Sequence, residues 1–158
     1  MSGVRLGADD RAALERWRAA GETIVFTNGV FDLLHVGHAE YLEEAAALAD
    51  RLVVGVNADD SVRRLKGPER PILPEADRRE LVAALACVDL AVIFEDDTPL
   101  ALIEAVRPDV LVKGGDWAVE AIVGREFVES YGGRVTNIRL REGHSTTRLV
   151  ERLRDPRR

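Results

Sequence analysis

The stretch Thr23-Ile-Val-Phe-Thr-Asn-Gly-Val-Phe-Asp-Leu-Leu-His-Val-Gly-His38 constrains the rest of the chain more than any other. Ile24 to Phe26 are apolar β-formers, Asn28-Gly29 breaks the run, and Ala39 to Ala49 is rich in strong helix formers. His35 and His38 therefore sit where a buried strand hands over to a helix N-terminus. That end of a helix offers unpaired backbone N–H groups and a partial positive charge, a natural seat for phosphate. Gly37 lies between them without a Cβ, so a phosphate chain can approach the backbone closely. Two imidazoles one turn apart can then donate hydrogen bonds to phosphoryl oxygens as charge develops. Spacing alone suits metal ligands or surface residues as well. Here, however, the pair takes two of only three histidines, glycines surround it, and no Cys or His cluster supplies a third ligand. Phosphate chemistry is the better reading.

The flanking chain alternates strand and helix. Asp9 to Ala20 reads as a leading helix with Leu14 and Trp17 on one face and Gly21 as its stop. Arg51 to Asn57 is a short apolar run, a fully buried strand, and Asp59 to Leu65 a short helix with acids at its start. Lys66-Gly-Pro-Glu-Arg-Pro-Ile-Leu-Pro74 is a charged Gly/Pro loop, either a connector or a mobile cover to which Lys66 and Arg70 give positive charge. Glu75 to Ala86 predicts an amphipathic helix with Leu81, Val82 and Leu85 inward and Arg78, Arg79 and Glu80 outward. Leu90 to Phe94 is a third strand, and Pro99 to Val106 a helix capped by Thr98. Val110 to Lys113 is a fourth strand, Val119 to Tyr131 a helix ended by Gly132-Gly133, and Arg134 to Leu140 a fifth strand. A closing helix runs from Gly143 through Leu153, and Arg152 to Arg158 is a solvated helix end.

This order predicts a single α/β domain over 1–158, doubly wound and Rossmann-like, with a five-stranded parallel sheet and helices on both faces. In that architecture ligands gather beyond the carboxyl ends of the strands. Asn28 to His38, Lys113 to Trp117 and Gly143 to Thr147 all fall at such ends. Their convergence predicts a nucleotide site, yet neither G-x-x-x-x-G-K-[ST] nor G-x-G-x-x-G is present. A P-loop NTPase or a dinucleotide-dependent dehydrogenase is therefore disfavoured.

The bulk figures fit an ordinary globular chain of 158 residues, 46% hydrophobic and 32% charged. A net charge of −6 disfavours a nucleic-acid partner. Cys87 is the single cysteine, which excludes an internal disulfide and suits a reducing cytosol. No signal peptide or membrane-spanning run is present, so a cytoplasmic protein without a membrane partner is expected.

Asn28 to His38, Lys113-Gly-Gly-Asp-Trp117 and Glu142-Gly-His-Ser-Thr-Thr147 together resemble the H-x-G-H nucleotidyltransferase superfamily, the cytidylyltransferase-like proteins. Within it the chain looks most like the bacterial D-glycero-β-D-manno-heptose 1-phosphate adenylyltransferases, in their stand-alone form. Arg64-Leu-Lys-Gly67 and Asp96-Asp-Thr-Pro99 extend the match, which runs from Thr23 to Leu153.

The resemblance implies transfer of AMP from ATP to a heptose 1-phosphate with release of pyrophosphate. It implies His35, His38 and Lys66 as catalytic residues. Asn28, Gly29, Val30, Phe31, Gly37, Arg78, Lys113, Gly115, Asp116, Ser145, Thr146 and Thr147 would bind the nucleotide. Asp32, Lys66 and Trp117 would border the sugar phosphate. On their own, Ser145 to Thr147 would read as a plain helix cap. The acceptor phosphate is already ionised, so no general base is required. Mg²⁺ would come with the ATP phosphates, and no high-affinity protein metal site is expected. A homodimer or larger homo-oligomer is implied, and a separate heptose kinase would supply the acceptor.

Related glycerol-phosphate cytidylyltransferases carry G-D-D-W and an Arg leading R-T-E-G-I-S-T-T. Here those positions are Gly115 and Leu140, which favours adenine over cytosine. A cytidylyltransferase for glycerol 3-phosphate is the alternative enzyme, and a regulatory nucleotide-binding module the alternative of another class. His144 has no assigned role.

Overall fold

The computed structural model describes residues 3–155 and 157. Met1, Ser2, Pro156 and Arg158, which belong to the expected leading and trailing segments, lie outside the described residues.

Side-chain alternation along one strand divides the molecule into two cores. The first half of the chain contains α1 (Ala8–Ala19), β1 (Ile24–Gly29), α2 (Val36–Ala46), β2 (Arg51–Asn57) and α3 (Asp59–Lys66). Next come α4 (Glu75–Ala83), β3 (Leu90–Phe94), α5 (Leu100–Val106) and β4 (Val110–Gly114). A 3₁₀ turn (Val119–Ala121), α6 (Arg125–Ser130), β5 (Arg134–Ile138) and α7 (Thr146–Arg154) complete it. Ile24 and Phe26 pack on one face of the sheet with Leu14 of α1, Leu102, Ile103 and Val106 of α5, and Val128 of α6. Val25, between them, packs on the other face with Tyr41, Leu42 and Ala45 of α2 and Val82 of α4. Successive residues feed both layers, so β1 to β4 are largely apolar, as a sheet covered on both faces requires, whereas the edge strand β5 is only partly covered.

All five strands are parallel, in the order β3-β2-β1-β4-β5. The chain winds outward from β1 to β3, then crosses back to place β4 on the free edge of β1. At this switch the register is short. β1 pairs with β2 from Ile24 to Gly29, but with β4 only at Val25↔Val110 and Phe26↔Leu111. The two central strands therefore part at their carboxyl ends, and the opening between them is where a ligand can enter.

Three local expectations change. The helix expected over Val119 to Tyr131 is split, because Gly124 takes a left-handed φ of 89° and starts α6 after the 3₁₀ turn. A Cβ there would lie 2.8 Å from Ile103 Cδ1, so glycine lets this turn pass against α5. Helix α5 begins one residue later than expected, with Pro99 in the N-cap position and no side-chain cap from Thr98. Helix α4 is rotated relative to the amphipathic reading: Arg78 and Val82, one turn apart, face inward, whereas Leu81 is exposed.

Candidate active site

The turn from β1 into α2 is rigid and locally strained. Phe31 and Leu33 adopt left-handed φ values of 52° and 50°, which cost of order 1–3 kcal/mol each in non-glycine residues. Burial holds Phe31 there: it is in the α2-side core, with its ring edge-on to His38 at 5.5 Å between centroids. Asp32 is also buried, and its main-chain carbonyl accepts a 2.7 Å hydrogen bond from Thr146 Oγ1. This bond joins the turn to the start of α7.

His35 is the N-cap of α2, and its Nδ1 accepts from the Gly37 backbone N–H at 3.1 Å. His38 reaches back, its Nδ1 accepting from the His35 N–H at 3.2 Å. The two rings stack with centroids 3.8 Å apart and 26° between planes. A Cβ on Gly37 would lie 2.9 Å from His35 Cε1, so this glycine makes room for the imidazole. It was expected to admit phosphate, but it lies outside the central cleft.

These bonds fix the chemistry of the pair. Each Nδ1 is an acceptor, so in the neutral ring the proton sits on Nε2, which remains a free donor. Burial, followed by the neighbouring His35, pushes His38 down to about 4, with Asp32 opposing the shift. Burial and then His144 lower His35. At neutral pH the site thus presents two uncharged N–H donors at a helix N-terminus.

Two cavities flank the pair. His38 lines a cleft of about 580 Å³ between the parted strands. His35 instead lines a hollow of about 900 Å³ with His144, Ser145, Arg148 and Arg152. The cleft brings together Asn28, Gly29, Val30, Phe31, Asp32, His38, Lys66, Lys113, Trp117 and Thr146 from the expected set. Lys113 is half-buried, and desolvation lowers its pKa. Its Nζ lies 5.5 Å from the centre of the Trp117 ring, whose backbone carbonyl is held at 2.6 Å by Asn137 Nδ2. Neither Lys66 nor Lys113 pairs with a carboxylate among the described residues.

Other expected residues lie elsewhere. Gly115 and Asp116 follow β4 but do not line the cleft. Ser145 borders the His35 hollow and caps α7, its Oγ accepting from Arg148 N at 3.1 Å. Thr147 faces a smaller recess with Lys66 and Arg70. Arg78 is corrected from an outward phosphate contact to a buried strut. It is 0% exposed, and it donates to Leu73 O, Val30 O and Asp59 Oδ1 at 3.0, 2.7 and 2.9 Å. Asp32, expected against the sugar phosphate, has its carboxylate occupied by Ile72 N at 2.8 Å, Leu73 N at 3.0 Å and Arg70 Nε at 3.1 Å. Burial raises its pKa, but those donors outweigh it and the net shift is downward.

The cleft also contains residues that sequence reasoning did not select. Asn57 ends β2 and Asp97-Thr98 follow β3, and Leu111, Ile122, Val123 and Leu140 form an apolar wall on the β4–β5 side. The strand-end rule could have found Asn57 and Asp97. Among the described residues no group of three or more His, Cys, Asp or Glu side chains is placed to hold a metal ion. The donor set suits an ion carried in on a ligand's phosphates.

The Cytidylyltransferase-like family profile matches residues 26–154. The chain is 55% identical over 154 residues to Bifunctional protein HldE of Syntrophotalea carbinolica, covering 98% of this chain and 31% of that protein. It is 62% identical over 142 residues to Bifunctional protein HldE of Acidiphilium cryptum, covering 90% of this chain and 29% of that protein. The chain thus spans about a third of the length of these curated relatives. Among solved structures, it matches the lipopolysaccharide core biosynthesis protein of Thermoplasma volcanium with a TM-score of 0.62 and 32% identity. That match covers 78% of this chain and all of the other.

Proposed function

Because the chain belongs to the Cytidylyltransferase-like family, we propose that it transfers AMP from ATP to a heptose 1-phosphate, giving ADP-heptose and pyrophosphate. The observation that carries this reading is the stacked histidine pair, fixed as two Nε2–H donors between the two cavities. The heptose acceptor is supported by the resemblance of the motifs at Asn28 to His38, Arg64 to Gly67 and Glu142 to Thr147. Leu140 supports adenine: it is part of the apolar wall, at the position where the cytidylyltransferases place an arginine.

In this mechanism the adenine lies on the β4–β5 side, against Trp117, Ile122, Val123 and Leu140. The α-phosphate meets the Nε2–H groups. An oxygen of the acceptor's ionised phosphate attacks the α-phosphorus, a new P–O bond forms, and the bond to the bridging α–β oxygen breaks. Pyrophosphate leaves with that electron pair. No proton is transferred, so no general base is required. Catalysis consists of aligning two anions and offsetting their repulsion with the histidines, Lys66, Lys113 and the helix N-termini. Arg148, Arg152 and His144 give the His35 hollow the charge to receive pyrophosphate. Mg²⁺ enters as part of the ATP substrate, bound by phosphate oxygens and water.

A kinase acting on the sugar supplies the acceptor, and the use of ATP places the reaction in the cytoplasm. No helix of the described residues is long and apolar enough to cross a membrane. A homodimer fits the apolar hollow lined by Leu33, Leu34, Leu73, Leu81 and Leu153. The 66–74 loop acts as a cover over the acceptor, anchored at its Arg70–Leu73 end.

The test is pyrophosphate release with Mg²⁺, crossing ATP and CTP with heptose 1-phosphate anomers and glycerol 3-phosphate. Release only with ATP and a heptose 1-phosphate is expected. Release with CTP and glycerol 3-phosphate would transfer the chain to the cytidylyltransferase reading.

A further inference from the structure

We propose that Arg70 grips the phosphate of the acceptor and that Asp32 is the positioning residue that aims it, an inference that rests on the reaction proposed above. The Arg70 side chain is only 14% exposed, and its Nε is bound to Asp32 Oδ2 at 3.1 Å. Its two Nη groups bond to no side chain or backbone atom of the described residues. No buried side-chain nitrogen or oxygen there lacks a partner, so the Nη groups open outward, and Arg70 lines both the cleft and the Thr147 recess.

A guanidinium held at Nε keeps the Nη1–Nη2 edge free, the geometry that takes a phosphate through two parallel hydrogen bonds. Asp32 is itself immobilised by Ile72 N and Leu73 N, so the carboxylate that holds Arg70 is fixed to the same loop.

The position argues for the acceptor rather than for ATP. Arg70 lies on the β2–β3 side of the cleft with Lys66, Asn57, Asp97 and Thr98. These supply cations for a phosphate, together with amide, carboxylate and hydroxyl groups for sugar hydroxyls. The apolar wall for a base is on the opposite side, and the cations of the His35 hollow are separate from both.

Steady-state kinetics of Arg70→Ala, Arg70→Lys and Asp32→Asn test this, with thermal melts to establish folding. Arg70→Ala should raise KM for the heptose 1-phosphate by roughly 10- to 100-fold while KM for ATP stays within about twofold. Arg70→Lys, which keeps charge but loses the fork, should recover part of the loss. Asp32→Asn should shift the acceptor KM in the same direction and add little on top of Arg70→Ala. An equal rise in KM for ATP, or no rise in either, in a variant that melts like wild type would overturn the assignment. A wild-type protein active only with a different acceptor or nucleotide would overturn the parent reaction, and that is visible before any variant is made.

Discussion

The two sides of the cleft are built from opposite materials. The β4–β5 side presents Leu111, Ile122, Val123, Leu140 and the Trp117 ring, with Lys113 as its one lysine. The β2–β3 side presents Asn57, Lys66, Arg70, Asp97 and Thr98. One side offers apolar surface, the other charge and directed hydrogen-bonding groups, and His38 stands between them. Damage to either side should therefore have its own kinetic signature, whereas damage to the centre should affect both substrates.

The largest effect is expected where the frame of the charged side is removed. Arg78→Ala deletes a buried guanidinium that joins Leu73, Val30 and Asp59, leaving their oxygens unpartnered. Loss of about 3–5 kcal/mol of stability is expected, read by chemical denaturation, and Arg78→Lys should restore little of it. His38→Ala comes next. It removes one donor at the centre, and kcat should fall by about 10²–10³-fold, measured as pyrophosphate release, in a protein that still folds. Trp117→Ala sharpens the contrast from the apolar side. KM for ATP should rise by roughly tenfold, as loss of a stacking surface predicts, with KM for the acceptor unchanged.

The smallest effect is on the pH dependence of stability. His38 titrates at about 4 in the fold against an ordinary 6.5. Between these values the unfolded chain binds a proton that the folded protein does not. The contribution is therefore fully present above about 6.5 and is lost as pH falls towards 4. His38→Gln should flatten the melting temperature over that window. An unchanged slope would show that His38 is not the group responsible.

Much of this arrangement could be read in the sequence because it obeys local periods. Apolar runs at β1, β2 and β4 and the strand-to-helix handover at His35 announce a parallel sheet and the place of its site. What escaped depends on partners distant in the chain. Arg78 has the residue type of a surface helix position, and only its carbonyl partners at Leu73 and Val30 place it inside. Asp32 and Arg70 meet across an intervening strand and two helices, with no periodicity to link them. Gly124 lies inside the stretch expected to be one helix, and only Ile103 of a neighbouring helix, 2.8 Å from where its Cβ would be, marks it as a break.

The burial of the histidine pair at the start of α2 also bears on how the proposed reaction responds to acidity. Burial lowers the pKa of both imidazoles, His38 down to about 4 and His35 below its ordinary value. His38 therefore supplies no ionisation near neutrality. The second ionisation of a phosphate monoester, near pH 6, does. In the proposed reaction the acceptor must shed its last proton before it can attack, and so contributes an acid limb to the rate profile.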